Sequence, residues 1–245
     1  MLRFRYLLLV GLVFFLSFLV IFLPASSIRL VTNGIPQLDI SAPKGSIWLG
    51  SGQLRVSNQY LGALRWSIHP IRLVLGKLDV VWMLEDQNHA FEGKATMRLG
   101  ATSFSFDGLI KPQTINRVLA PYELLLTGGL ELKSVKATVE RNESQVVGIQ
   151  GNIRWAGGTV RYRMANQRHQ RELPALLGKL QTTEGIPSIT IRSEMEDTPL
   201  LQARLDNDGW VHIGITKRFT QLVGQPWRGN ESDAAIVMEV SEKLL

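Results

Sequence analysis

Apolar residues recur at every second position over most of the chain from Gly45 onward, and this period of two limits the fold more than any other feature. In one stretch Leu64, Trp66 and Ile68 alternate with polar neighbours. Successive side chains of a β-strand point to opposite faces, so the alternation predicts strands with one buried face. Because short turn-like segments separate these strands, chain neighbours should pair in antiparallel fashion. The sequence therefore predicts an all-β domain, a curved antiparallel meander.

Turn-forming residues stand between the predicted strands. Asp208-Gly209 and Gly157-Gly158 can supply the positive φ that tight hairpin turns require. Ser57-Asn58-Gln59 and Asn142-Glu143-Ser144 are further turn candidates. We expect a hairpin at each of these positions.

Helical patterns are few and short. We expect short helices at residues 112–119, 171–180 and 216–223, the first ended by Ala120-Pro121. None of these segments is long enough to cover a sheet of a dozen strands. A partly open sheet is therefore favoured over a helix-backed one.

An uninterrupted apolar segment occupies residues 6–23 and contains no charged residue. As a helix it would be about 27 Å long, enough for the hydrocarbon core of a bilayer. Arg3 and Arg5 precede it, which places residues 1–5 in the cytoplasm by the positive-inside rule. The segment is therefore predicted to be one transmembrane anchor. The predicted membrane-anchor residues are Tyr6, Leu9, Phe14, Phe15, Phe18 and Phe22.

A cleaved signal peptide is the alternative interpretation, with Pro24-Ala25-Ser26-Ser27 as its small-residue exit. The apolar core of a signal peptide is usually shorter, about 7–15 residues, so we favour the uncleaved anchor. Under either interpretation the rest of the chain is exported. Residues 24–44 would form a linker and the first strand, and 45–245 the exported β-domain.

A weak internal repeat links the two halves of this domain. Gly62-Ala63-Leu64-Arg65-Trp66 is echoed by Gly151-Asn152-Ile153-Arg154-Trp155. Duplication of a β-meander, with a division into two subdomains near residues 111–122, explains the pattern. Chance similarity between β-strands explains it as well, and both interpretations stay open.

Residues that usually carry enzyme chemistry are absent or isolated in the sequence. There is no cysteine, which excludes disulfides, thiolate nucleophiles and cysteine-ligated zinc. No histidine has the spacing of a metal ligand set, and no Gly-x-Ser-x-Gly nucleophile motif occurs. The acidic residues Glu194, Glu196 and Asp197 are interpreted as surface charge. We therefore predict no catalytic residue, no metal, no cofactor and no enzymatic activity.

The chain is basic, with a net charge of +6, but its arginines and lysines are scattered singly. Arg154, Arg161 and Arg163 are examples on predicted strands. Nucleic-acid binding usually needs a clustered basic patch or stripe. A solvated basic surface is favoured, and no nucleic-acid partner is expected.

Several segments together carry a family resemblance. Residues 42–50, 61–78 and 151–162 resemble the type II secretion system protein N family (general secretion pathway protein N), as do the Asp208-Gly209 hairpin and residues 242–245. The resemblance covers nearly the whole chain. Its structural motif residues are Gly45, Trp48, Gly62, Trp66, Pro70, Gly151 and Trp155.

This resemblance implies a non-enzymatic accessory component of the machine that exports folded proteins from the periplasm of a Gram-negative bacterium across the outer membrane. The chain would cross the inner membrane once, with its C-terminal domain in the periplasm, and would contact other secretion subunits. The resemblance also implies kinship with exported β-groove proteins of the AsmA-like type. Lipid binding in a partly open apolar trough, built from residues such as Trp66, Leu78, Val80 and Phe106, is therefore the alternative function.

Overall fold

The computed structural model describes residues 18, 22–28, 37–70, 72, 76–140, 146–164, 167–206 and 208–243. Strands account for 64% of the described residues, so the predicted all-β class is confirmed. The chain divides into two compact units, Met1–Asp86 (unit 1) and Gln87–Leu245 (unit 2). The subdivision near residues 111–122 stays a prediction.

Unit 1 contains an antiparallel meander in which each strand pairs with the next along the chain. Its described strands are β1 (Leu38–Gly45), β2 (Leu49–Val56), β3 (Gln59–Ile68) and β4 (Leu78–Glu85). The predicted hairpin between β2 and β3 is confirmed, because Ser57 and Asn58 have φ values of 49° and 64°. Two successive positive φ values define the type I′ turn, whose twist matches that of the flanking strands.

The core of unit 1 lies on one face of this meander. Ala25, Ile40 and Trp66 form a buried cluster, and Leu54, Leu64 and Val80 are among the partly buried residues packed against it. Ala25 belongs to a 3-10 helix, Ala25–Ser27, which directly follows the predicted anchor. The buried residues thus include one from outside the strands.

Unit 2 has two sheets in its described residues. Its described strands are β5 (His89–Met97), β6 (Ala101–Ile110), β7 (Leu125–Leu126), β8 (Leu130–Glu140), β9 (Val146–Trp155), β10 (Gly158–Met164), β11 (Gln167–Leu173), β12 (Leu176–Thr183), β13 (Ile186–Ser193), β14 (Pro199–Leu205), β15 (Trp210–Thr216) and β16 (Ile236–Lys243). Nine of these strands pair antiparallel in the order β5-β6-β8-β9-β12-β13-β14-β15-β16, and the other three form a small sheet in the order β11-β10-β7.

The small sheet packs on an apolar cluster at one end of the large sheet. Trp155 at the end of β9, Val160 on β10 and Leu173 on β11 are its buried members. Burying three such side chains stabilises unit 2 by roughly 5–8 kcal/mol of transfer free energy, before the entropy of ordering the chain is subtracted.

The hairpin predicted at Gly157-Gly158 is wrong. Strand β9 pairs with β8 and β12, whereas β10 pairs with β11 and β7, so the two glycines carry the chain from one sheet to the other. Both have positive φ, 81° and 124°. An added Cβ at Gly157 would lie 2.8 Å from the backbone nitrogen of Ala175, so close approach of the backbones explains that glycine.

Two of the three expected helices form. Helix α1 (Pro112–Leu119) is followed by a 3-10 turn at Ala120–Tyr122, and α2 (Lys217–Leu222) begins after Thr216. The helix expected over residues 171–180 is wrong, because this segment contains the end of β11 and the start of β12. Pro174 stands between the two strands.

The Asp208-Gly209 hairpin is confirmed. Gly209 has a φ of 84°, and the Asp206 N–H donates to the carbonyl of Trp210 over 2.8 Å, which joins β14 to β15. The turn predicted at 142–144 lies outside the described residues.

Candidate interaction surfaces

Trp66 is the buried centre of the predicted motif in unit 1. Trp66 is 3% exposed, and its indole N–H donates to the carbonyl of Ile47 over 3.0 Å. Gly50 faces this ring from β2, since an added Cβ there would lie 2.4 Å from it. The motif therefore holds the β1–β2 connection against the sheet, which is a structural role.

The remaining motif residues of unit 1 shape the same region. Gly45 has a φ of 89°, and a Cβ there would lie 2.5 Å from the carbonyl oxygen of Leu49. The carbonyl of Trp48 accepts a hydrogen bond from the Ile68 N–H. Pro70 is exposed just after β3. The structure thus brings Gly45, Trp48 and Trp66 to one region and leaves Pro70 at the surface.

Gly151 and Trp155 repeat this arrangement within unit 2. The Trp155 indole N–H donates to the carbonyl of Thr127 over 2.9 Å, and the ring is 5% exposed. Gly151 has a φ of 148°, and its counterpart Gly62 in unit 1 has a φ of 139°. Each pair thus consists of a glycine with positive φ and, four residues later, a buried tryptophan whose indole N–H donates to a carbonyl outside its strand.

Most of the predicted anchor residues lie outside the described residues, namely Arg3, Arg5, Tyr6, Leu9, Phe14 and Phe15. Phe18 and Phe22 are described; both are exposed, and their ring centroids are 4.4 Å apart. Among the described residues, no helix has the length and apolar character needed to span a membrane.

The apolar trough predicted from Trp66, Leu78, Val80 and Phe106 does not form as expected. Trp66 is buried beneath Ala25, and Val80 packs against the same cluster, so this part of unit 1 is closed core. Phe106 belongs to unit 2, where it is only partly buried.

Unit 2 carries a continuous apolar row on one face of its nine-stranded sheet. Cross-strand register connects one residue from each strand. The row runs through Phe91, Gly108, Leu132, Ile153, Gly178, Ile191, Leu201, Ile215 and Met238. Apart from Gly178 its members are half-buried or exposed. The row is thus an apolar surface accessible in part to solvent or to a ligand.

The opposite face of the same sheet is polar. A cavity of about 520 Å³ opens there, lined by Lys94, Lys136 and several hydroxyl and amide side chains of β5, β6, β8, β9 and β12. The register places Ser105 opposite both lysines. The contrast between the two faces is what the period-two alternation predicts.

Strand β16 is an edge of this sheet among the described strands. Its residues Ile236, Met238 and Val240 are 49%, 48% and 47% exposed. Edge strands present unpaired backbone groups that can bind a strand from another protein. The sequence pattern marks β16 as a strand but does not show that it lies at an edge.

The small sheet carries a basic cavity, which sequence reasoning also missed. It has a volume of about 610 Å³, and its lining includes Arg161, Arg163 and Arg168. A usable signal was the Arg-Tyr-Arg alternation at 161–163, which puts two arginines on one strand face.

The acidic residues Glu194, Glu196 and Asp197 form ion pairs. Arg154 donates to Glu194 over 3.2 and 3.0 Å, and Arg218 donates to Glu196 over 2.9 and 2.5 Å, both in bidentate fashion. Asp197 pairs with Arg192. The Arg218 hydrogen bonds lower the pKa of the Glu196 carboxyl, and Arg154 does the same for Glu194. These acids therefore connect elements of unit 2 and form no carboxylate pair for hydrolysis.

Among the described residues, no group of three or more His, Asp or Glu side chains is arranged to hold a metal ion.

A sequence profile of the family described as type II secretion system (T2SS), protein N matches residues 36–226. The chain belongs to this family. Searches of curated proteins and of solved structures gave no match.

Membership of the T2SS protein N family connects the chain with type II secretion and with its other subunits. The family is a non-catalytic secretion component and is associated with the inner membrane. The matched residues include both glycine–tryptophan segments and the small sheet. They do not extend to β16 or to the predicted anchor.

Proposed function

We propose that the protein is an accessory inner-membrane component of the type II secretion system and acts by protein–protein interaction. It would support the export of folded proteins from the periplasm across the outer membrane, anchored by residues 6–23 with its β-domain in the periplasm. Family membership supports the secretion role. The exposed edge strand β16 supports the interaction mode.

Strand addition at β16 is the mode of binding that this edge favours. A strand from another secretion subunit would hydrogen-bond to the backbone groups of β16 that pair with no described strand, and its side chains would meet Met238 and Val240, which are about half exposed. Lysine on an edge strand discourages such pairing. A Val240→Lys variant should therefore weaken partner binding while the chain still folds.

The test combines gene deletion with complementation. Deletion should lower the amount of secreted enzymes in the medium, and the wild-type gene should restore it. Val240→Lys should restore secretion poorly and copurify less of the other secretion subunits. Val81→Lys is the matched control, since Val81 lies on β4 of unit 1 with 45% exposure. Normal secretion after deletion, with no secretion subunit copurifying, would reject the role.

Lipid binding is the second candidate function, and the apolar row of unit 2 favours it. The row crosses nine strands and is largely half-buried, as an apolar surface for acyl chains would be. The site would be confined to unit 2, because the corresponding residues of unit 1 are core. Purified full-length protein should then retain phospholipid on extraction, and Ile191→Asp should remove it. Absence of bound phospholipid in the wild-type protein would reject this function.

A further inference from the structure

The outer face of the small sheet concentrates positive charge at a structural cost. Arg163 on β10 lies directly opposite Arg168 on β11, and Arg161 is two residues away on the same face. Directly opposed residues of an antiparallel pair have Cβ atoms about 4.5–5.5 Å apart, and like charges in that position destabilise the sheet. A cross-strand arginine pair is therefore unfavourable for folding alone.

Carboxylates within the described residues neutralise little of this charge. Arg163 pairs with Glu123 over 2.9 Å, and Arg161 donates to the neutral side-chain oxygen of Gln170 over 3.2 Å. Among the described residues, no carboxylate pairs with Arg168. Three arginines and one glutamate line the cavity, which leaves a formal charge of +2 with His169 neutral.

The shape of the site also suits a ligand larger than a simple ion. The 3-10 turn at Ala120–Tyr122 and the following residues form one wall of the cavity of about 610 Å³, a volume typical of small-molecule sites. Leu124 and Leu125 contribute apolar surface, and Leu125 lies opposite Arg161 in the register. A charged head would meet the arginines while an organic group contacts the leucines.

We infer that this basic cavity binds a phosphate ester. Guanidinium groups match phosphate in charge and in bidentate geometry, and a phosphate offers enough acceptor oxygens for several arginines at once. The ester group accounts for the volume and for the leucine wall. The site stands independently of the secretion role proposed above, because its residues are separate from β16 and from the apolar row.

The phosphate ester has two sources, a soluble phosphate ester or the head group of an anionic phospholipid. The full chain, purified in a nonionic detergent, would be tested with glycerol 3-phosphate by thermal unfolding. In parallel, native mass spectrometry would compare dioleoyl phosphatidylglycerol with dioleoyl phosphatidylcholine. Stabilisation by glycerol 3-phosphate indicates a soluble source. Selective retention of phosphatidylglycerol without that stabilisation indicates a lipid head group.

Arg168→Gln is the decisive variant, with Arg204→Gln as the control. Arg204 is also an exposed strand arginine of unit 2, and its replacement by glutamine removes the same charge at a different site. Arg168→Gln should weaken binding of the responding probe about tenfold or more. It should keep or raise the Tm of the ligand-free chain, because it relieves the opposition to Arg163. Arg204→Gln should leave binding within about twofold.

Four results would overturn the inference. The first is no response to glycerol 3-phosphate together with equal retention of the two lipids, and the second is equal weakening of binding by Arg168→Gln and Arg204→Gln. The third is a fall in the Tm of ligand-free Arg168→Gln by as many degrees as the ligand-induced rise in Tm that this variant loses. The fourth is binding of an acidic peptide such as oligoglutamate when neither phosphate probe binds.

Discussion

Replacing Gly151 by alanine should destabilise unit 2 strongly. The residue lies in the middle of β9 with a φ of 148°, a conformation that alanine adopts only under strain of about 1–3 kcal/mol. Its new Cβ would also lie 2.7 Å from the Cα of Val135, a buried residue on β8. Backbone atoms cannot move aside as a flexible side chain can, so overpacking adds about 1–3 kcal/mol. The expected loss is the sum of the two, roughly 2–6 kcal/mol.

Gly148→Ala provides a control on the same strand. Its φ is not in the positive range, and an added Cβ would meet no heavy atom within 4 Å. A compatible Gly→Ala change typically stabilises by about 0.4–1 kcal/mol, because it restricts the unfolded chain. The two variants should therefore change stability in opposite directions.

Thermal unfolding of the full chain, followed by circular dichroism, measures both effects. For a chain of this size 1 kcal/mol corresponds to about 2–4 °C in Tm, so Gly151→Ala should lower Tm by roughly 4–24 °C. Gly148→Ala should leave the Tm equal or slightly higher. Equal shifts for the two variants would refute this explanation of the irregular glycine.

Three further substitutions, two in unit 2 and one in unit 1, should change the stability of the protein. Thr216→Val should lower the free energy of unfolding, measured in urea, by about 1–3 kcal/mol. The buried hydroxyl caps α2 and donates to the carbonyl of Pro199, and the variant loses both interactions. Wild-type stability would contradict both roles. Arg218 lowers the pKa of Glu196 in the folded state. Their ion pair therefore stabilises the fold above the usual glutamate pKa of 4.5, and this stability is lost as the pH falls through the lowered pKa. Glu196→Gln should flatten this acid limb of the Tm–pH curve, and an unchanged curve would argue against the pair. Ala25→Asp should unfold unit 1, since it buries a charge in the apolar core, whereas Ser26→Asp should be tolerated; equal effects on Tm would show that position 25 is not core.

Local alternation predicted the strands well because each half-buried strand carries its own evidence of burial. Trp66 and Arg65, for example, take opposite faces as their pattern requires. Short-range turn chemistry likewise predicted the hairpins at Ser57-Asn58 and Asp208-Gly209. Both kinds of signal depend only on neighbours in the chain.

The failures arose where the answer depended on distant residues. The leucines of 171–180 have helix-like spacing, but Leu173 packs in the small sheet and Leu176 belongs to the large one. Pro174 between them was a local signal against a helix. Gly157-Gly158 has hairpin composition, yet the strands that it joins belong to different sheets.

The two interaction surfaces needed three-dimensional information of another kind. The cross-strand pair of Arg163 and Arg168 exists only once the register of β10 and β11 is known. Nothing in the sequence of β16 distinguishes an edge strand from an internal one. The family motif, whose role is structural, is therefore recognisable in the sequence, whereas the surfaces on which partners or ligands would act are not.

The position of Ala25 has a mechanical consequence. The Ile47 N–H donates to the carbonyl of Leu23 over 3.0 Å, Pro24 forms a β-bridge with Ser46, and Ala25 is already in the core of unit 1. If residues 6–23 span the membrane, no flexible linker separates the helix from unit 1. A flexible linker of 15 residues would by contrast allow the two to lie roughly 20 Å apart. A tilt of the helix would then be transmitted directly to unit 1. Cleavage after Ala25 would remove Ala25 from the core of unit 1.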